Sequence, residues 1–227
     1  MAVPTSMTSS QMIDEFLIEY DRILSQVSQS YNDNEILSFL NRSQEILIGE
    51  LYKARRFDLL GSLYTIADNV SPIQMTSSGI SNGYYVLRSD TGSFSRGVMY
   101  FLDVVVSATR TSLPAGSETS MAEWIDKDYS KRFIKSLSNS CILFRTPKVY
   151  TEGDYLIILV DSFTGAPTVS IQYIKYPLTL VASSPVSNVS TTTCEMRADL
   201  HKDIVTKAVY LAKEATDRLQ QTKQKEE

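Results

Sequence analysis

Apolar residues recur at spacings of three and four through the start of the chain, and that period predicts helices. Met12, Ile13, Phe16, Leu17, Tyr20, Leu24 and Val27 form one stripe, with Thr8 and Gln11 spaced as a capping box at its start. After a polar break at 28–31, Asn32 and Glu35 repeat that spacing. A second stripe follows: Ile36, Phe39, Leu40, Ser43, Leu47, Leu51 and Ala54. Lys53, Arg55 and Arg56 close it, where positive charge complements the negative pole of the helix. A shorter helical piece is predicted over 57–67, stopping before Asp68-Asn69 and Ser71-Pro72. Connections this short predict antiparallel neighbours in a hairpin or bundle.

From residue 73 the period changes. Segments 84–88 and 98–109 are rich in β-branched and aromatic residues and are bounded by Gly79, Gly83, Gly92, Gly97 and Pro114. Segment 121–137, with the only Trp, reads as a helical turn or irregular stretch, and 140–144 as a strand. The unbroken apolar run in 154–160 predicts a strand covered on both faces. A hairpin-like turn is expected at 161–167, after which Val169, Ile171 and Tyr173 alternate with Ser170 and Gln172 until Pro177 ends the ladder. Beyond a Ser/Thr-rich linker, 182–193, a last helix is predicted over 198–220 with a polar, frayed tail. The fold class is therefore α+β. An N-terminal helical part (1–72) packs with the C-terminal helix and tail (194–227), and a mainly antiparallel β region (73–193) is inserted between them.

Composition narrows what such a fold can do. The 227 residues carry 22 Lys+Arg against 26 Asp+Glu, a net charge of −4, which disfavours a dedicated nucleic-acid binder. Ser and Thr supply roughly a fifth of the chain and Tyr another 13 residues, while there is one His and two Cys. That profile suits β-structure and polar interfaces more than an active site. Cys141 and Cys194 make no disulfide framework and read as buried thiols. No secretory signal is legible at the N-terminus, so Asn41-Arg42-Ser43 and Asn188-Val189-Ser190 read as chance glycosylation triplets. No apolar run approaches the ~18 residues of a membrane span. A soluble protein made in a cytoplasm is expected, without cofactor or metal.

Specific chemistry is sparse. The glycines match no phosphate-binding loop, and no nucleophile elbow occurs. His201 reads as a partly exposed helix-terminal residue; pairing with Cys194 would need an electropositive pocket, and Glu195 opposes that. Asp14/Glu15, Asp126/Asp128 and Glu152/Asp154 read as solvated surface rather than catalytic or metal pairs. Tyr84, Tyr85, Phe94, Tyr100 and Phe101 have few interleaved cations and read as packing rather than a base-stacking platform. No enzyme is expected.

Three blocks carry a resemblance. Glu35-Ile-Leu-Ser-Phe-Leu-Asn-Arg-Ser-Gln-Glu-Ile-Leu-Ile48 is the first, and the second joins the strand at 154–160 to Ser170-Ile-Gln-Tyr-Ile-Lys-Tyr-Pro-Leu-Thr-Leu180. The third is Cys194-Glu-Met-Arg-Ala-Asp-Leu-His201 followed by Asp203-Ile-Val-Thr-Lys-Ala-Val209. Together they resemble the head-to-tail connector ring proteins of crAss-like phages and related podophages, over about a third of the chain. Met196 and Ser43 stand where the pattern usually has Leu and Ala, and 73–140 has no close match.

The resemblance implies a non-catalytic virion protein at the capsid–tail junction. It would form a homo-oligomeric ring of twelve copies beside the portal protein or an adjacent connector ring, in contact with tail proteins. Genomic DNA would pass through its channel without specific binding, helped by acidity on the channel wall. Tyr176, Arg197, His201, Lys223 and Lys225 are the candidate assembly-interface residues. The alternative is a tail-associated, adhesin-like receptor-binding β protein, which would more often be trimeric and lack a long terminal helix.

Overall fold

The computed structural model describes residues 6–23, 31–74, 84–89, 94, 96–110, 117–139, 146–160, 163–182 and 192–226. The chain divides into two compact units, Met1–Leu63 with Pro177–Glu227, and Tyr64–Tyr176. The second unit is thus inserted in the first along the chain, with boundaries at 63/64 and 176/177 instead of 72/73 and 193/194.

The helical unit is built from α1 (Ser9–Ile23), α2 (Asp33–Lys53) and α4 (His201–Glu226), the last entered through a 3-10 turn at Ala198–Leu200. Both expected capping boxes form. Thr8 N–H donates to Gln11 Oε1 at 2.9 Å and Gln11 N–H to Thr8 Oγ1 at 3.3 Å. At α2, Asn32 N–H donates to Glu35 and Glu35 N–H to Asn32 Oδ1. Met12, Phe16, Ile36, Leu40, Ile48, Ile204, Ala208 and Ala212 are buried on the facing stripes. An aromatic ladder, Phe16–Tyr20–Tyr31–Phe39, joins α1 to α2 with centroids 5.4–5.7 Å apart. Tyr31 Oη ties it to α4, 2.7 Å from Thr216 Oγ1 and donating to Ala212 C=O at 3.0 Å. Leu24, Val27 and Cys141 lie outside the described residues. The backbone of α4 is helical to Glu226, six residues past the end expected at 220.

The helix expected over 57–67 is not continuous. Arg55 takes a left-handed φ of 56°, Arg56 N–H bonds Leu51 C=O and Arg55 N–H bonds Tyr52 C=O, a Schellman ending for α2. A 3-10 turn, Phe57–Leu60, follows, and Tyr64–Val70 is strand β1. Leu60 and Leu63 are buried as a helical stripe would have them. Thr65 and Ile66 are β-branched, and pairing with a partner strand outweighs the local period.

The inserted unit is a β-sandwich. Its remaining strands are β2 (Ile73–Gln74), β3 (Tyr84–Arg88), β4 (Val98–Arg110), β5 (Ser117–Met121), β6 (Glu123–Trp124), β7 (Lys148–Glu152), β8 (Tyr155–Leu159) and β9 (Phe163–Lys175). One sheet runs β1-β9-β4-β5, the other β2-β3-β8-β7-β6, and among the described residues only β6–β7 pair in parallel. Val104, Val106, Val169, Ile171 and Tyr173 of the first sheet share one apolar cluster with Tyr85, Leu87, Val149, Leu156 and Ile158 of the second. The other face of the second sheet, Val86, Tyr150, Ile157 and Leu159, is covered by Ile125 and by Phe133 of α3 (Lys127–Asn139). Every residue from Leu156 to Val160 is therefore buried, as the unbroken run requires.

Strands β4 and β5 pair antiparallel, with the Ser107 and Thr119 hydroxyls 2.9 Å apart. One further expectation fails. The turn expected at 161–167 is mostly the start of β9. Its Gly and Pro are accommodated by a register shift between Ser107 and Thr109 of β4, and Pro167 is buried. Segment 140–144 and most of the linker 182–193 lie outside the described residues. Segment 121–137 resolves into the end of β5, β6 and α3, which Asp126 caps by accepting from Asp128 N–H at 2.8 Å.

Candidate functional site

Ser9, Ser43, Gln44 and His201 are all buried in the helical unit. An unpaired polar group there costs about 1–3 kcal/mol. Ser43 bonds back to Leu40 C=O within α2, and the partners of the other three define one polar lock. Segment 178–181 belongs to no strand, so its backbone groups must bond elsewhere. Asn41, beside the buried stripe of α2, supplies two of those bonds: Leu180 N–H donates to Asn41 Oδ1 at 2.8 Å, and Asn41 Nδ2 donates to Leu180 C=O at 3.1 Å. Val181 is held the same way, its N–H donating to Thr192 Oγ1 at 2.9 Å and its C=O accepting from Ser9 Oγ at 2.7 Å. Leu178 N–H donates to the Glu195 carboxylate at 3.0 Å.

The same groups fasten both ends of the unit together. Ser9 N–H donates to Thr192 C=O at 2.8 Å and Cys194 N–H to Met7 C=O at 3.0 Å, around a Thr8–Thr193 bridge. Gln44 Nε2 donates to Asn41 Oδ1 at 3.2 Å, and the Cys194 thiol donates to Gln44 Oε1 at 3.5 Å. Met7 N–H donates to His201 Nδ1 at 3.2 Å, and His201 Nε2 lies 2.9 Å from Met196 C=O. A backbone N–H meets only an unprotonated ring nitrogen, so the proton sits on Nε2 and donates to Met196.

This geometry removes the thiol–imidazole pair from consideration. Both His201 nitrogens face backbone groups, and Cys194 faces an amide oxygen. Burial pushes the thiol pKa up and the Glu195 charge adds to it, against a smaller opposing bond from the Met196 backbone. A reactive thiolate needs the reverse.

The candidate interface residues separate accordingly. Tyr176 and Arg197 are exposed, Arg197 forming a two-pronged pair with Asp199 at 3.1 and 3.0 Å. Tyr176 lies in the inserted unit, its ring edge against Gly97. His201 is corrected: it is 1% exposed and spans two backbone groups, so it is a core residue rather than a surface one. Its bonds to Met7 N–H and Met196 C=O hold the ring inward. Lys223 and Lys225 lie on the last turns of α4, and their side chains fall outside the described residues.

Asp14, Glu15, Asp126, Asp128, Glu152 and Asp154 are exposed, with Lys127 paired to Glu152 at 2.6 Å and Lys131 to Asp128 at 3.1 Å. Among the described residues no cluster of His, Cys, Asp and Glu could hold a metal ion, and no helix is long and apolar enough to cross a membrane. Tyr85 and Phe94 are buried, and Phe94 packs edge-on against Tyr173 at 5.1 Å, so they are core. Tyr84 has its side chain outside the described residues.

Asn41, Gln44, Ser9 and Thr192 were not singled out as a site by sequence reasoning. The legible signal is three polar residues, Asn41, Ser43 and Gln44, set in or beside an otherwise apolar helical face. No protein-family model matches this chain, and no curated protein matches it.

Proposed function

We propose that this chain is a virion structural protein that forms a ring in the neck between the portal and the tail, giving the genome a channel to pass through. The observation that carries the reading is the convergence of the three resembling blocks. Asn41 and Gln44 from the first, Leu178 and Leu180 from the second, and Cys194, Glu195 and His201 from the third meet in one lock. Residues scattered over more than 150 positions are thus recruited to hold backbone segments in place, and none of them is arranged for bond making. A protein that must keep one shape while neighbours and DNA pull on it needs this arrangement more than it needs a reactive group.

The ring reading also uses the long α4, packed on α1 and α2. The adhesin-like alternative has no use for such a helix. Native mass spectrometry separates the two. Twelve copies of a 25.5-kDa chain give about 306 kDa and three copies about 76 kDa. Assembly on purified portal to the larger mass supports the connector; a free-standing trimer that ignores the portal supports the alternative.

A further inference from the structure

Residues 1–63 carry five Lys and Arg against nine Asp and Glu, whereas 64–176 carry ten of each and 177–227 seven of each. The whole surplus of negative charge therefore belongs to the first 63 residues. Asp14, Glu15, Glu19 and Asp21 all lie on α1, whose one cation, Arg22, is paired with Glu19 at 3.3 Å. Helical spacing sets Asp14, Glu15 and Asp21 around Ile18, which is 64% exposed. Ser6, Met7, Gln11, Asp14, Glu15 and Ile18 line a groove of about 520 Å³. An isoleucine ringed by carboxylates suits an apolar group that carries cations.

The same chain presents such a group. Helix α3 has four basic residues against one acid. Tyr129 is 47% exposed, with the Arg132 guanidinium 5.0 Å from its ring centroid, and Lys131 stands beside them. The Lys131–Asp128 pair is 77% and 88% exposed and worth little, so Lys131 is available for exchange. We propose that the acidic groove over α1 receives the Tyr129–Arg132 face of α3 from a second copy of this chain. The two faces differ, so the contact is head-to-tail and propagates until it closes. Closure into a ring rests on the connector reading; the contact itself rests on charge and shape. It also gives the α1 acids a role between copies rather than on a DNA-repelling wall.

Charge reversal tests the contact. The wild-type chain should associate at about 100 µM in about 50 mM salt, measured by sedimentation, and dissociate in about 500 mM salt as screening sets in. Asp14→Lys/Glu15→Lys and Lys131→Glu/Arg132→Glu should each raise the dissociation constant at least about tenfold. An equimolar mixture of the two should restore assembly, because each then offers the face its partner lacks. Carbodiimide coupling of isotope-labelled with unlabelled wild-type chain should join Asp14 or Glu15 to Lys131 between copies, a readout independent of whether the variants fold. Assembly that ignores both reversals and yields no such cross-link overturns this contact and leaves the ring reading standing. A wild-type chain that stays monomeric under these conditions overturns the contact as well, and the ring reading is then decided on the virion.

Discussion

Replacing Asn41 by Ala should damage the helical unit out of proportion to the atoms removed. The side chain makes two hydrogen bonds to Leu180, at 2.8 and 3.1 Å, and Leu180 is 1% exposed. Each lost bond is worth about 1 kcal/mol, and each backbone group left buried without a partner costs about 1–3 kcal/mol instead. The expected destabilisation is therefore about 2–4 kcal/mol. With an m-value of about 1–3 kcal/mol per M in urea, the midpoint should fall by roughly 1 M or more. Far-UV circular dichroism follows the helices, and amide exchange locates the effect. Leu178, Leu180 and Val181 should lose protection, while the amides of β8, in the other unit, keep theirs. Asn41→Asp retains the acceptor but sets a carboxylate against Leu180 C=O, so it should not rescue. Arg197→Ala, which breaks an exposed pair, should cost less than about 0.5 kcal/mol. An Asn41→Ala unfolding free energy within about 0.5 kcal/mol of wild type, with Leu180 still protected, would refute the lock.

Three other outcomes follow from the same packing. Arg55→Gly should stabilise the chain by about 0.5–1 kcal/mol, since Arg55 is exposed at φ 56° in a position glycine adopts without strain; a lower melting temperature would contradict it. His201→Leu should cost about 2–4 kcal/mol by orphaning Met7 N–H and Met196 C=O, and nitrogen NMR of the wild type should find Nδ1 unprotonated. Burial raises the pKa values of Cys194, Tyr20 and Tyr85 above ordinary values of 9.0, 10.0 and 10.0. The unfolded chain then releases these protons first, so the stability they contribute is complete below those ordinary values and is lost as pH rises from them through the raised native values. Urea midpoints should decline from about pH 8 to about pH 10.5, and native Cys194 should resist alkylation until the helical unit opens; a flat profile with rapid labelling would oppose both.

Much of the frame was legible because local signals agreed with tertiary ones. The caps at Thr8 and Asn32, the alternation of Val169, Ile171 and Tyr173, and the doubly covered run at Leu156–Val160 each state their environment in a few residues. Segment 57–67 misled for the opposite reason: Leu60 and Leu63 satisfy a helical period from a 3-10 turn, and only the partner strand β9 reveals Tyr64–Val70 as β. The start of β9 was hidden because Gly165 and Pro167 look like a turn, whereas they lie in a bulge of β9 itself, where four steps along β9 face two along β4. The lock was half visible. Polar Asn41 and Gln44 on an apolar face ask for partners, but their partners lie about 140 and 150 positions away, a separation no local period encodes. His201 was misplaced because a helix start is usually exposed, whereas here its ring is held between Met7 N–H and Met196 C=O and is 1% exposed.

The connector reading proposes that a phage encodes this chain, and electron microscopy of the purified virions tests that proposal most directly. The account predicts a symmetric ring on the capsid–tail axis, directly below the portal, into which α1, α2, α4 and the inserted β-sandwich can be built in every subunit. Density for this chain on peripheral tail fibres, or its absence from the virion altogether, would contradict it.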